Sequence, residues 1–302
     1  MSPHVLPKIL LFGAGGQLGK ELFLHLDKLF DVTTVDYRLL QEGGNLCEPE
    51  YMEAIINRIE PNVIINAAGY TKVDMAESNE SIAYMVNSSG VKSLGICAKK
   101  IDALLVHFSS DYVYDGLSKR PYLETDQANP LNVYGKSKLG GDRAIIDSGC
   151  KHLIFRTSWI YSEHGDNFLK SILSAAQSQK SMAIVNDQFG VPTSAALLAR
   201  VTRDCLKYVI TMGNLCGIYN VVPSGRTSWY EYAAFAIDKA RRLGAPIKVS
   251  NQSLLSVRSE DFHTKAQRPK NSVLDTTKFR ETFDLELPHW KSGVANVVEK
   301  MF

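Results

Sequence analysis

Tyr134-Gly135-Lys136-Ser137-Lys138 sets a phenol and an ammonium four residues apart. On a helix both would project from one face. A free phenol has a pKa of about 10 and exchanges protons slowly near neutrality, whereas a neighbouring ammonium favours the phenolate and lowers that value. A tyrosine tuned in this way can give a proton to a carbonyl oxygen while hydride arrives at the carbon. The same ammonium can hold the hydroxyls of a nicotinamide ribose. An ordinary i,i+4 pair on an exposed helix has the same spacing, so Tyr134 and Lys138 need company to mean anything. Phe108-Ser109-Ser110-Asp111 supplies it. This segment follows an apolar run, where the Ser110 hydroxyl would stand at the carboxyl edge of a sheet and bind the same oxygen.

These groups need a scaffold, and the first half of the chain reads as one. Gly13-Ala14-Gly15-Gly16-Gln17-Leu18-Gly19 follows the apolar run Lys8–Phe12 and opens a helical pattern through Leu22, Leu26 and Leu29. Glycines at 13, 16 and 19 permit a tight turn, close backbone approach to a pyrophosphate, and close packing of helix on sheet. The helix N-terminus then offers unpaired N–H groups to phosphate. Val32–Val35 ends at Asp36, placed either to hold an adenosine ribose or to be a solvated strand-end carboxylate. Arg38 lies two residues on and could meet a 2′-phosphate, so NADH and NADPH both remain open.

Further strands are expected at Val63–Ile65, Ala103–Phe108 and Leu153–Phe155, with Pro49 in the first turn of one helix and a long helix around Ser81–Lys99. Alternation of this kind predicts βαβ units, hence an α/β, doubly wound (Rossmann) parallel sheet with a smaller C-terminal substrate-binding lobe. The cofactor domain would take residues 1–158 and regain 190–222; residues 159–189 and 223–302 would form the lobe. In the later half, helices are expected at Asn167–Gln177, Ser194–Tyr208 and Ser228–Arg242, with short strands at Ala183–Val185 and Ile218–Val222.

The 302 residues are 45% hydrophobic and 22% charged, enough for a sizeable core without disulfides or a structural metal. A net charge of +2 gives no reason to expect nucleic acid or an anionic membrane as partner. The five scattered cysteines contain no CxxC and read as reduced thiols; the first residues read as a strand and not a signal peptide; no apolar run has the length of a membrane span. A cytoplasmic protein is the expectation. The seven histidines show no ligand spacing, so no catalytic metal is expected.

With these motifs in place the chain resembles the extended short-chain dehydrogenase/reductases and, within them, the reductases of dTDP-4-dehydrorhamnose. The resemblance runs through the Gly13–Gly19 turn, Asn66-Ala67-Ala68, Thr71-Lys72-Val73-Asp74 and Ser109 to Gly116. It continues through Tyr134–Lys138, Arg156-Thr157-Ser158-Trp159, Asn186 to Thr193, Arg268-Pro269-Lys270-Asn271-Ser272 and Leu274-Asp275-Thr276. It implies reduction of the C4 ketone of dTDP-4-dehydro-β-L-rhamnose by NADPH or NADH. Tyr134 would be the acid, Lys138 its tuning group, and Ser110 would bind the oxygen where family members often carry Thr. Gly16, Gln17 and Leu18 would touch the pyrophosphate, Asn45 and Leu46 the adenine, Gly69, Tyr70 and Thr71 the nicotinamide side, and Phe108 the cofactor wall. Asp111 and Trp159 would touch the sugar. Arg268, next to Pro269, is a candidate for the nucleotide phosphates, with a solvated surface charge as the plain alternative; Trp159, Tyr70 and Phe108 have packing as theirs. The resemblance also admits a homodimer, with Mg²⁺ at the dimer contact of some members. Two other readings compete: a dehydratase or epimerase of the same superfamily, and a non-catalytic subunit like the β subunit of methionine adenosyltransferase. Gln17-Leu18 and Asp111-Tyr112 stand against the former, and the intact Tyr134–Lys138 pair against the latter.

Overall fold

The computed structural model describes residues 6–35, 46, 48–212 and 215–302. Asp36, Arg38 and Asn45 lie outside that range. Six strands make one parallel sheet: β1 (Lys8–Phe12), β2 (Asp31–Val35), β3 (Val63–Asn66), β4 (Leu104–Ser110), β5 (His152–Thr157) and β6 (Gly217–Asn220). Their spatial order is β6-β5-β4-β3-β1-β2. Successive side chains of a strand point to opposite faces, and along β1, β3, β4 and β5 both faces are buried, while the edge strand β2 stays largely exposed. Ile9 and Leu11 pack with Leu18, Leu22 and Leu26 of α1 (Gln17–Leu26) and with α8 (Ala195–Met212) and α10 (Thr277–Phe283). Leu10 and Phe12 pack on the other side with Met52, Ile55 and Ile56 of α2 (Pro49–Ile59), with α5 (Gly90–Lys100), and with Ile145 of α6 (Val133–Ser148). The doubly wound sheet is therefore as expected.

The order reverses at β1, which has β2 on one flank and β3 on the other. Connections leave this point in opposite directions, and a crevice opens at the carboxyl ends of the strands. A third cluster forms away from the sheet. It joins α7 (Phe168–Ser178), α9 (Trp229–Arg242) and α11 (Trp290–Met301) to the parallel pair Met182–Val185 and Leu254–Val257, and takes in Val113, Tyr114 and Tyr122 from the loop after β4.

Two local expectations change. The first helix stops at Leu26; Leu29 is exposed and Phe30 takes the buried place. The long helix around Ser81–Lys99 is interrupted: α4 (Glu80–Tyr84) passes into α5 through a π-helical turn, Met85–Ser89. Its cause is Asn87, which is fully buried. The Asn87 amide donates to the Tyr70 carbonyl at 3.0 Å and to Ser137 Oγ at 3.0 Å, and its oxygen accepts from the Tyr70 N–H at 2.8 Å. Such insertions collect where a helix serves a site.

Candidate active site

The glycine turn is built for a backbone–anion contact. Gly13 has φ +80, and a Cβ there would stand 2.5 Å from the Ala68 nitrogen; at Gly19 a Cβ would stand 2.0 Å from the Gly13 oxygen. Only glycine lets α1 and β3 close on the turn this tightly. Gly16 is the N-cap of α1 and brings no side-chain cap, so the first N–H groups of the helix stay open toward the crevice. The crevice itself is a cavity of about 920 Å³.

β4 delivers Ser110 to the cavity. The Ser110 hydroxyl accepts from the Tyr112 N–H at 3.1 Å, capping a short 3-10 turn, and donates to Asp111 Oδ1 at 3.1 Å. Asn132 caps α6 by accepting from the Gly135 N–H at 2.8 Å. The helix then carries Tyr134 and Lys138 on one face, and both line the cavity together with Ser110. The predicted acid, ammonium and strand-end hydroxyl are thus brought together.

Their electrostatics differ from expectation. Desolvation of the Tyr134 hydroxyl raises its pKa to about 12, against a lowering by the Ser110 hydroxyl, while Asp111 and Asp142 add to the rise. Burial draws the Lys138 ammonium down to about 8, with Asp142 pulling the other way. Desolvation prevails over the lowering expected from the Lys138 ammonium, whose Nζ is turned to β4. It donates to the Phe108 carbonyl at 2.6 Å and lies 3.4 Å from His107 Nε2.

Gly13, Gly16, Gln17, Leu18, Leu46, Gly69, Tyr70, Thr71, Phe108, Asp111 and Trp159 all line the same cavity. Gly19 does not; it packs α1 against the turn. Nor does Arg268, whose guanidinium holds Asp74 at 2.7 and 3.2 Å. The Gln17 side chain turns to the lobe, accepting from Asn167 Nδ2 at 2.9 Å and donating to the Asp166 carbonyl at 3.2 Å. Three buried polar atoms along the cavity, Ser109 Oγ, Asp111 Oδ2 and Thr157 Oγ1, have no protein partner. With the open end of α1, they fit a long, polyhydroxylated, phosphate-bearing ligand such as a dinucleotide.

Trp229, Asp166, Asn167 and Lys72 complete the wall without having been singled out from sequence. Trp229 stacks on Trp159 with centroids 3.6 Å apart, and Trp159 itself sits at φ +48. The only signal for Trp229 was its place after Ser228, whose capping box with Glu231 starts α9. Among the described residues, Glu21, Glu163 and His164 bring ligand atoms within 4.8 Å of one another, away from the cavity lining, with Glu163 held by Lys300 at 3.1 Å. No described helix is long and apolar enough to cross a membrane.

Residues 7–302 match the family described as RmlD substrate binding domain. The chain belongs to that family. It is 40% identical over 294 residues to the dTDP-4-dehydrorhamnose reductase of Escherichia coli K12, covering 97% of this chain and 98% of that one. The Burkholderia thailandensis protein of the same name is 37% identical over 300 residues, covering 97% and 99%. The Bacillus anthracis dTDP-4-dehydrorhamnose reductase, solved in complex with NADP, superposes with a TM-score of 0.87 at 31% identity, covering 98% and 99%. The fold reaches further: Bordetella bronchiseptica WbmG with NAD gives a TM-score of 0.79 at 16% identity, covering 99% and 96%.

Proposed function

We propose that this protein reduces the C4 ketone of dTDP-4-dehydro-β-L-rhamnose to dTDP-L-rhamnose with NADPH or NADH. The observation that carries the reading is that Ser110, Tyr134 and Lys138 line the same cavity as the glycine turn. Two hydroxyls facing one cavity can close on one ketone oxygen. Family membership supplies the substrate class, and the relatives' names supply the nucleoside and sugar.

In this reading the open N–H groups of α1 and the backbone at Gly13 and Gly16 hold the pyrophosphate of the dinucleotide, and Lys138 with Phe108 stands at its nicotinamide end. The bound cofactor supplies hydride. Ser110 orients the ketone oxygen by hydrogen bonding, and Tyr134 donates its phenolic proton to that oxygen as negative charge gathers there. The high proton affinity of Tyr134 suits it to arrive protonated. Asp111 and the Trp159–Trp229 stack border the sugar. Residues 1–158 with 190–222 would form the cofactor part and 159–189 with 223–302 the sugar-nucleotide part, from which α10 returns to pack on the sheet.

The test follows NADPH and NADH absorbance on addition of dTDP-4-dehydrorhamnose, with chromatographic identification of the product. Wild-type protein should oxidise one of the two stoichiometrically with ketone. Tyr134→Phe should bind cofactor normally and lose roughly 10²-fold or more in rate, as for loss of a general acid. Full turnover by that variant would remove Tyr134 from the mechanism. Ketone conversion without net cofactor oxidation would point instead to an epimerase or dehydratase.

A further inference from the structure

His107 is a fully buried imidazole directly behind the proposed catalytic pair, and the reaction as described makes no use of it. It sits on β4, in register with Asn66 on β3. Both are sealed from solvent, with Asn66 1% and His107 0% exposed. The chain has placed two polar side chains side by side in the middle of a sheet, where aliphatic residues pack on either side of them. That costs free energy unless each polar atom is used.

The hydrogen bonds determine how they are used. Asn66 Oδ1 accepts from the Ala68 N–H at 3.1 Å, which leaves Asn66 Nδ2 as the donor toward His107 Nδ1, 3.1 Å away. The Nδ1 atom must then accept. In a neutral imidazole the proton goes to the other nitrogen. Burial, and next the charge of Lys138, hold His107 far below its usual pKa, so the ring is neutral. Its Nε2–H is directed at Lys138 Nζ, 3.4 Å away, while the same Nζ donates to the Phe108 carbonyl at 2.6 Å. An N–H directed at an ammonium is donor against donor. Directed at an amine lone pair, it is a hydrogen bond.

We propose that His107 is a positioning residue for Lys138: with its tautomer set by Asn66, it holds the lysine Nζ against the Phe108 carbonyl at the cavity wall and favours the proton-accepting form of Lys138. This rests on the reductase reading above. There it has a use, since each turnover takes a proton from Tyr134 and a proton must return. A lysine that releases and regains a proton near neutrality, one helical turn from Tyr134, can return one from solvent: an N–H bond of Lys138 breaks, the proton passes through an intervening hydroxyl or water, the phenol O–H reforms, and solvent restores Lys138. The other charged group that acts on Lys138 is Asp142, one turn along α6 and paired with Arg156 of β5 at 3.1 Å; Asp142 favours the ammonium. Tyr134 and Asp111 face the same cavity.

The experiment follows the titration of Lys138 in the full-length protein labelled with ¹³Cε-lysine, its signal identified by its absence in Lys138→Met. The wild-type midpoint should lie near 8. His107→Leu should raise it by about one unit or more, because the opposing N–H is gone. His107→Gln should return it toward the wild-type value, since its amide N–H can stand where the imidazole Nε2–H stood. Asn66→Asp should raise it at least as far as His107→Leu, because a carboxylate claims the Nδ1 proton and turns Nε2 into an acceptor for the ammonium. In His107→Leu the turnover rate should fall about tenfold or more, with much of it recovered in His107→Gln. An unmoved midpoint in His107→Leu overturns the proposal; should that variant not fold, an unmoved midpoint in Asn66→Asp does so. The titration needs no sugar nucleotide. Failure of the reductase reading would show as a wild-type protein without turnover, whereas failure of this proposal would show as an unmoved midpoint with turnover intact.

Discussion

Asp111 carries a conflict that pH should expose. Its Oδ1 accepts from Ser110, but its Oδ2 is buried without a partner. Burial raises its pKa to about 7, with the Ser272 and Ser110 hydroxyls pulling it back. The folded chain therefore binds this proton more tightly than the unfolded chain, whose carboxylate titrates near 3.8. Stability from this site falls as pH rises from about 4 to about 7, and the full cost stands above that range. Asp111→Asn, which keeps the shape and removes the charge, should raise Tm by several degrees at about pH 8 and by almost nothing at about pH 4. Scanning calorimetry across that range decides it; an equal gain at both ends would contradict the assignment. Residue roles were legible in sequence where spacing is enough. A spacing of four from Tyr134 to Lys138 determines a shared helix face, and the structure agrees. Spacing says nothing of solvent, however, and desolvation reversed the expected shift of Tyr134. Trp229 escaped notice for a related reason: its partner Trp159 lies far away in the chain, and no local pattern joins them.

Among the elements, α6 and β5 are joined by an ion pair deep in the molecule. Arg156 Nε donates to Asp142 Oδ2 at 3.1 Å and its Nη1 to the Tyr114 hydroxyl at 2.7 Å, with both charged side chains at 5% exposure or less. Removing one member strands the other charge in the interior. Asp142→Ala should therefore cost about 3–5 kcal/mol in urea unfolding, far more than a surface pair would. A loss under about 1 kcal/mol would mean that Arg156 finds another partner or water. The strands were readable nearly to the residue, because β1, β3 and β4 are short aliphatic runs bounded by turn formers and buried on both faces. The π turn at Met85–Ser89 was not. Asn87 turns inward for Tyr70 and Ser137, which approach from two other segments, and periodicity over Ser81–Lys99 carries no trace of them.

For the whole molecule, the question is how the late segment around Arg268 is tied to the cofactor domain. The Arg268 guanidinium meets both oxygens of Asp74, the Ala266 N–H meets Asp74 Oδ1 at 3.1 Å, and Asn132 Nδ2 donates to the Gln267 carbonyl at 2.8 Å. The hydrogen bond from Arg268 holds the Asp74 carboxyl below its ordinary pKa. These bonds strap residues 266–268 across α3 (Val73–Ala76) and the start of α6, close to the cavity but outside its lining. An arginine already paired in this way has little left for a diphosphate. Its contribution to binding is then to keep the segment closed, and Asp74 shares that contribution equally. Arg268→Ala and Asp74→Ala should each raise KM for the sugar nucleotide about three- to tenfold, the range expected when a partly exposed ion pair is lost. The double variant should be no worse than either single one, since all three lack the same contact. The alternative separates cleanly in steady-state kinetics. If Arg268 leaves Asp74 to grip the nucleotide phosphates, Arg268→Ala should raise KM about a hundredfold, the loss of a charge-assisted contact, while Asp74→Ala frees the guanidinium and lowers KM.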